Sequence, residues 1–224
     1  YHKNQNPDLP LQVPWTGTAQ FGMVRYLGSG NIGSFTDPRD NNVYPTVKIK
    51  DQIWMTENLL YSAGNTVGIA NPGDPKYGRL YTWAEIQDPS FAPPGWHVAT
   101  DIEWRILERE LGMLYTDAIN GGQTTDQSTE RGVAQTVGTQ LKLGGTSGMD
   151  FLPAGSASAG TLSGDQGDKT YLWVNSLLGT NPFRRKLVTN PAAGEDPASV
   201  YRFTNSAGTD AISVRLIKDG SDGH

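Results

Sequence analysis

The chain has 224 residues, with 18 basic and 23 acidic side chains, a net charge of −5 and no cysteine. That length supports one large domain or one domain with a short appendage, and the missing thiols exclude disulfides, thiolate metal sites and cysteine nucleophiles. A mildly acidic balance, with no basic run longer than Arg184-Arg185-Lys186, argues against nucleic acid or an anionic membrane surface as a partner.

Residues 1–33 read as an extended arm or linker. Their first part, "YHKNQNPDLPLQVPWT", carries three prolines and no hydrophobic period, with Trp15 the side chain suited to dock on the body. The folded domain is expected over 34–224. It opens with a β-meander: an Asp-Pro-Arg-Asp-Asn-Asn turn, an alternating run from Val43 to Ile49, a Lys50-Asp51-Gln52 turn and the apolar run Ile53 to Met55. Pro45 has no N–H to give a ladder, so its strand is expected at a sheet edge or beginning there. A Gly/Pro/Asp loop then runs into Leu80-Tyr81-Thr82-Trp83.

In "GWHVATDIEWRILERELG" Thr100 and Glu103 stand at capping-box spacing, which predicts a helix from Asp101 to about Leu114. Trp104, Leu107, Leu111 and Leu114 form its apolar stripe, with Trp104, Leu107 and Leu111 expected to be buried. Glu103, Arg105, Glu108, Arg109 and Glu110 take the other positions. Beyond a polar loop at 120–130, "GVAQTVGTQLKL" sets Val133, Val137 and Leu141 at i, i+4 and i+8 and predicts a shorter second helix. From Leu143 to residue 169 Gly, Ser, Ala and Asp dominate, so little regular structure is expected. Strands are expected again at "TYLWV", "SVYRF" and "AISVRLIK", where Ile212, Val214 and Leu216 alternate with Ser213, Arg215 and Ile217. No repeat of roughly 20 to 50 residues is visible, which excludes solenoids and propellers.

The ordered set "TVKIKDQIWMTENL", "YGRLYTWAE", "PPGWHVATDIEWRILE", "GTQLKL", "DFLPAG" and "SVRLIKD" resembles the Fibrobacter succinogenes major paralogous domain over residues 34 to 219. That family occurs in surface and lipid-anchored proteins of Bacteroidetes and Fibrobacter. "GWHVATDIEW" and "SVRLIK" are also similar to segments of formylglycine-generating enzymes and of the variable proteins of diversity-generating retroelements. The resemblance implies an α+β, C-type-lectin-like fold: two helices packed on small twisted antiparallel sheets, with a long irregular loop region. It further implies that Trp96 ends a core strand, that the capped helix crosses back over the sheet, and that the loop face carries the ligand. The cysteines of formylglycine-generating enzymes and the histidine triad of iron-dependent sulfoxide synthases are absent, since only His2, His97 and His224 occur. The Glu-Pro-Asn or Gln-Pro-Asp loop of calcium-dependent lectins is absent too; "WVNS" and "TNPF" stand in that part of the chain.

His97 reads as a structural strand residue and Glu103 as a cap rather than an acid. Asp150, Asp165 and Asp168 offer oxygens to calcium, but at no EF-hand spacing; no cofactor is otherwise called, and a tightly bound transition metal is not expected. Ser156, Ser158 and Ser163 lack a nucleophile elbow and read as loop serines. Residues 171–205 combine aromatic, arginine and asparagine side chains in a turn-rich stretch, the composition of binding hot spots. Trp173 and Phe203 are assigned to the core. Asn175, Arg184, Arg185, Tyr201 and Arg202 are the expected ligand-binding residues.

The function expected is a non-enzymatic recognition or adhesion module that binds a cell-surface protein or glycan through its loop face. The alternatives are a carbohydrate-active enzyme using an acidic pair such as Asp150 and Asp165, or a structural cell-surface or pilus-associated domain. The expected location is extracellular or on a bacterial outer-membrane surface, as a lipoprotein or part of a pilus. No apolar stretch approaches the ~18 residues needed to cross a bilayer, so direct membrane insertion is not expected, and any signal or anchor is expected to lie outside this chain.

Overall fold

A computed structural model describes residues 32–62, 69–70, 75–119, 129–206 and 208–220. The expected arm with Trp15, most of the 120–130 loop, His2 and His224 lie outside the described residues. In chain order the strands and helices are β1 (Ile32–Thr36), β2 (Val43–Ile49), β3 (Gln52–Met55), β4 (Ile69–Ala70), β5 (Arg79–Thr82), α1 (Trp83–Ile86), β6 (Trp96–Val98), α2 (Asp101–Glu110), α3 (Tyr115–Ile119), α4 (Val137–Leu141), β7 (Ala157–Ser158), β8 (Thr161–Leu162), β9 (Lys169–Leu178), β10 (Asn181–Val188), β11 (Tyr201–Thr204), β12 (Asp210–Ile212) and β13 (Leu216–Lys218). The fold is mixed, with few helices and several antiparallel sheets. The sheets run β1-β2-β3-β13-β6, β11-β10-β9 and β4-β5-β12-β7-β8. Among the described residues no helix is long and apolar enough to cross a membrane.

The meander forms as its alternation predicts, but β2 is not an edge. It pairs with β1 on one side and β3 on the other. The Pro45 carbonyl accepts from the Thr56 amide, and within a strand a residue's N and C=O point the same way. The missing donor therefore faces Thr56, one residue past the last registered pair, Thr46 with Met55, so proline costs the ladder only the bond at its end.

Helix α2 starts where the capping box puts it. The Thr100 hydroxyl accepts from the Glu103 amide, and the Glu103 carboxylate accepts from the Thr100 amide at 2.7 Å. It stops at Glu110, four residues short of the expected end. Gly112 adopts φ +98°; its amide donates to the Arg109 carbonyl and that of Met113 to the Glu108 carbonyl, a glycine-terminated Schellman stop. Trp104 and Leu107 are buried, Leu111 is only partly so, and Leu114 is exposed. The second expected helix shrinks to α4 because Thr136, just before it, sits at φ 53°, which leaves Val133 outside. The capping-box spacing recurs at Thr82 and Glu85, where it starts α1 rather than continuing β5.

Trp96 opens β6 rather than ending a strand. The terminal run divides between two sheets: β12 pairs with β5 and β7, and β13 with β3 and β6. Residues 211–217 are buried on both faces rather than alternating with solvent. Two apolar clusters meet around this segment. One joins α2 to the sheets through Trp54, Trp104, Phe151, Leu172 and Ile217, with the Trp54 and Trp104 rings edge-on at 5.4 Å. The other gathers Tyr44, Tyr81, Phe91, Trp96 and Trp173. The buried indoles are satisfied: Trp173 Nε1 donates to the Tyr81 carbonyl and Trp54 Nε1 to Gln52.

Candidate functional site

Residues 181–188, expected to be turn-rich, form the central strand β10 of the three-stranded sheet, and its two faces explain where the expected site residues go. Alternate residues of a strand point to opposite faces. Phe183, Arg185 and Leu187 share a face with Leu172 and Val174 of β9 and Arg202 of β11, and this face meets α2. Arg184 and Lys186 share the other with Trp173, Phe203, Tyr171 and Tyr201.

On the inner face a charged cluster replaces apolar packing. Arg185 donates to Glu108 at 2.7 Å and to Asp101 at 2.9 Å, Arg202 donates twice to Asp101 at 2.8 and 2.7 Å, and Arg131 closes the cluster on Glu108. Asp101 and Glu108 are seven residues apart, two helical turns, so both lie on the face of Trp104. Glu108 is fully buried instead of facing solvent with the other charges of the helix. Burial by itself would raise the Asp101 carboxyl; Arg185 and Arg202 overcome it and hold that carboxyl well below the usual carboxylate range. Burial likewise works against the Arg185 charge, but Glu108 and Asp101 outweigh it and raise its pKa.

The expected surface role of four residues is therefore corrected. Arg184, Arg185, Tyr201 and Arg202 are 4%, 0%, 1% and 7% exposed. Their polar atoms are taken up internally, apart from Arg184 Nε and Arg185 Nη1, which have no protein partner. Arg184 lies 4.5 Å over the Trp173 ring and pairs with Asp210 at 2.8 Å. The Tyr201 hydroxyl donates to Glu130 and accepts from the Asp196 amide, and burial pushes its pKa up to about 12. Trp173 and Phe203 are core, as expected. Asn175 alone of the five is exposed; its side-chain oxygen accepts from Gln87, beside His97 and Asp219 at the edge of a cavity of about 360 Å³.

His97 is structural in its contacts. Its ring nitrogens lie 2.7 Å from Glu103 and 2.6 Å from Asp219. The hydrogen bond to Glu103 raises its pKa most, burial opposes this, and Asp219 adds to the rise, for a value of about 9. The ring is thus an imidazolium that donates to both carboxylates, tying the cap of α2 to the residues after β13.

The loop face holds a cavity of about 400 Å³ between the β7–β8 hairpin and the outer face of the three-stranded sheet, within the range of small-molecule sites, roughly 300–1,000 Å³. Phe203 and Ile212 form its apolar side, and its polar side includes Ser156, Ser163, Asn205 and Asp210. The Ser156 and Ser163 hydroxyls bond each other at 2.9 Å, and those of Ser158 and Thr209 at 3.3 Å. Tyr171 donates to Asp165 at its side. Sequence reading missed Asp210, Asn205 and Thr161 and took the serines for plain loop residues. The available signal was the alternation Ser156-Ala157-Ser158, which puts two hydroxyls on one face of the strand, with Asp210 and Thr161, and the alanine on the other, packed against Ala154 and Ala211.

A second cavity, of about 280 Å³, is lined by Glu57, Lys76, Asp150 and Arg215. Arg215 is buried and bonded to Asn58 and to backbone carbonyls, and burial lowers its pKa to about 9. Asp150 lines this cavity, whereas Asp165 lines neither it nor the loop-face cavity and accepts from Tyr171 beside the latter, so the acidic pair expected of an enzyme does not share a cleft. Of the three carboxylates considered for calcium, Asp165 accepts from Tyr171, Asp168 from Asn190 and Asp150 from the Gly144 amide. Among the described residues no three His, Asp or Glu side chains converge as metal ligands.

No curated protein and no solved structure matches this chain. The profile of the Fibrobacter succinogenes major domain matches it from residue 47 to 218. That span contains β3 to β13, the capped helix and the whole lining of the loop-face cavity, and the chain belongs to the Fibrobacter succinogenes major domain family.

Proposed function

We propose that this protein is a non-enzymatic recognition or adhesion module on a C-type-lectin-like scaffold, acting extracellularly or on a bacterial outer-membrane surface, as a lipoprotein or as part of a pilus. The domain begins near residue 34, and its partner is a cell-surface glycan or protein. One observation carries the reading: the loop face bears a hydroxyl-rich cavity on an apolar floor, held by a sheet whose arginines are spent on internal ion pairs. A rigid frame under a polar loop surface suits binding, because the recognising groups are already positioned. The ligand face assigned to residues 171–205 thus moves outward, from the arginines to the side chains around the cavity mouth. Glycan-array and surface-protein binding screens, each repeated with chelator, test this. Retained binding that is lost when the cavity mouth is filled supports it; a partner indifferent to that change overturns it.

A second reading, a carbohydrate-active enzyme, has one observation in its favour: Glu57 and Asp150 line a common cavity. Polysaccharide turnover abolished by Glu57→Gln or Asp150→Asn would establish it. Binding without turnover would remove it.

A further inference from the structure

We propose that the loop-face cavity takes a single neutral sugar residue of a glycan, without calcium, and that Asp210 is the principal acceptor for its hydroxyl groups. The inference rests on the reading of this face as a recognition surface and adds the ligand class and the residue.

Charge selects the class. Arg184 is the one cation lining the cavity, and its charge is met by Asp210 at 2.8 Å, with a further bond to the Ser206 carbonyl. The Asp165 carboxylate stands beside the wall at Tyr171. A carboxylated, sulfated or phosphorylated ligand would meet balanced or negative charge there, and the one Arg184 nitrogen without a protein partner, Nε, is buried out of its reach. A neutral polyol would meet none of that opposition.

Hydrogen-bonding capacity points the same way. Arg184 uses Asp210 Oδ2, so Oδ1 remains to accept from a ligand. The Asn205 side-chain oxygen accepts from the Ser206 amide, which leaves its two N–H groups to donate. The Ser156–Ser163 and Ser158–Thr209 hydroxyl pairs can each switch between donating and accepting. Acceptors, donors and hydroxyls of either sense at one wall match the groups of a sugar ring. Phe203 and Ile212 give its C–H face an apolar floor. Carboxylate hydrogen bonds are the strong ones in such a set, and Asp210, about one third exposed, is the carboxylate within reach. Arg184, buried and stacked on Trp173, is a positioning residue that fixes the Asp210 carboxylate.

The test uses the full chain on an array of neutral oligosaccharides and of uronic, sialylated and sulfated ones, in EDTA, followed by titration of the strongest binder. Two variants are compared, with thermal melts as folding controls. Asp210→Asn removes the charge at nearly constant shape. Thr161→Trp places a large ring at the mouth from an exposed position of β8 and disturbs no core contact. Neutral glycans are expected to bind in EDTA, Asp210→Asn to weaken binding about tenfold or more, and Thr161→Trp to abolish it. Binding confined to acidic glycans and blocked by Thr161→Trp overturns the neutral-sugar inference while leaving the recognition face intact. Binding that Thr161→Trp does not touch overturns both. Loss of binding in EDTA, or no glycan bound at all, also overturns the inference.

Discussion

Glu108→Gln is the sharpest perturbation of the frame beneath the loop face. Glu108 is completely buried, accepts from Arg185 at 2.7 Å, and binds Arg131 through its other oxygen. The buried part of the cluster sets three guanidiniums, Arg131, Arg185 and Arg202, against two carboxylates, Asp101 and Glu108, an excess of one positive charge to which the half-exposed Arg105 adds at Asp101. Neutralising Glu108 raises the buried excess to two, leaves Arg131 without its anion and leaves Arg185 with Asp101 alone. Removing one partner of a buried pair costs about 3–5 kcal/mol, a large share of a domain stability of roughly 5–15 kcal/mol. For a chain of this size that corresponds to a fall in Tm of roughly 6–20 °C. Urea unfolding should show a lower midpoint at unchanged slope, since the loss is in the native state. Glu110→Gln breaks the solvent-exposed Lys50 pair and should leave the midpoint where it was. If Glu108→Gln unfolds within ~1 kcal/mol of the parent, the cluster is not what holds α2 to the sheet.

Four further outcomes follow from other parts of the molecule. Thr100→Ala removes the cap of α2 and should lower stability by about 0.5–2 kcal/mol in a thermal melt. Gly138→Ala places a methyl 2.2 Å from the Ser199 carbonyl oxygen, a backbone clash expected to cost about 1–3 kcal/mol in urea unfolding. His97 has a pKa of about 9 when folded against an ordinary 6.5, so its contribution is complete below pH 6.5 and disappears as pH rises through 9. The full linkage would be ~3 kcal/mol, reduced by solvent screening to ~1 kcal/mol; a His97→Gln variant should lack this alkaline loss when melts are compared between pH 6 and 10. Asp101 titrates in the opposite sense: its stabilisation is present above about pH 4 and is lost as pH falls below the ordinary carboxylate value, which an acid titration of Asp101→Asn against the parent would show as a missing component.

Local signals were legible in the sequence where one interaction decides the structure. The Thr100–Glu103 box set the start of α2, the alternation from Val43 to Ile49 set β2, and Trp173 and Phe203 were correctly sent to the core. The end of α2 was legible too, since Leu111-Gly112 is a C-cap pattern, but the apolar Leu114 three residues past Leu111 masks it. What a single chain hides is the partner across space. Arg184, Arg185, Tyr201 and Arg202 have the composition of a binding surface, and only the folded sheet shows that Asp210, Glu108, Glu130 and Asp101 are waiting for them. The same holds for β10, whose arginines and lysine look like solvent-facing turn residues until ion pairs bury them. The cavity eluded the sequence because its walls come from residues 156–163, 171–184 and 203–212, which approach one another only through the pairing of β12 with β7 and of β10 with β9 and β11.

The most direct test of the recognition face is a ¹H–¹⁵N chemical-shift titration of the labelled full chain with the strongest neutral oligosaccharide from the array. Binding at the loop-face cavity predicts that the perturbed amides cluster at 156–163, 171 and 203–212, while those around Glu57 and Asp150, and around His97 and Asn175, stay in place. Perturbations centred on either of those other cavities, with residues 156–163 and 203–212 unmoved, would contradict it.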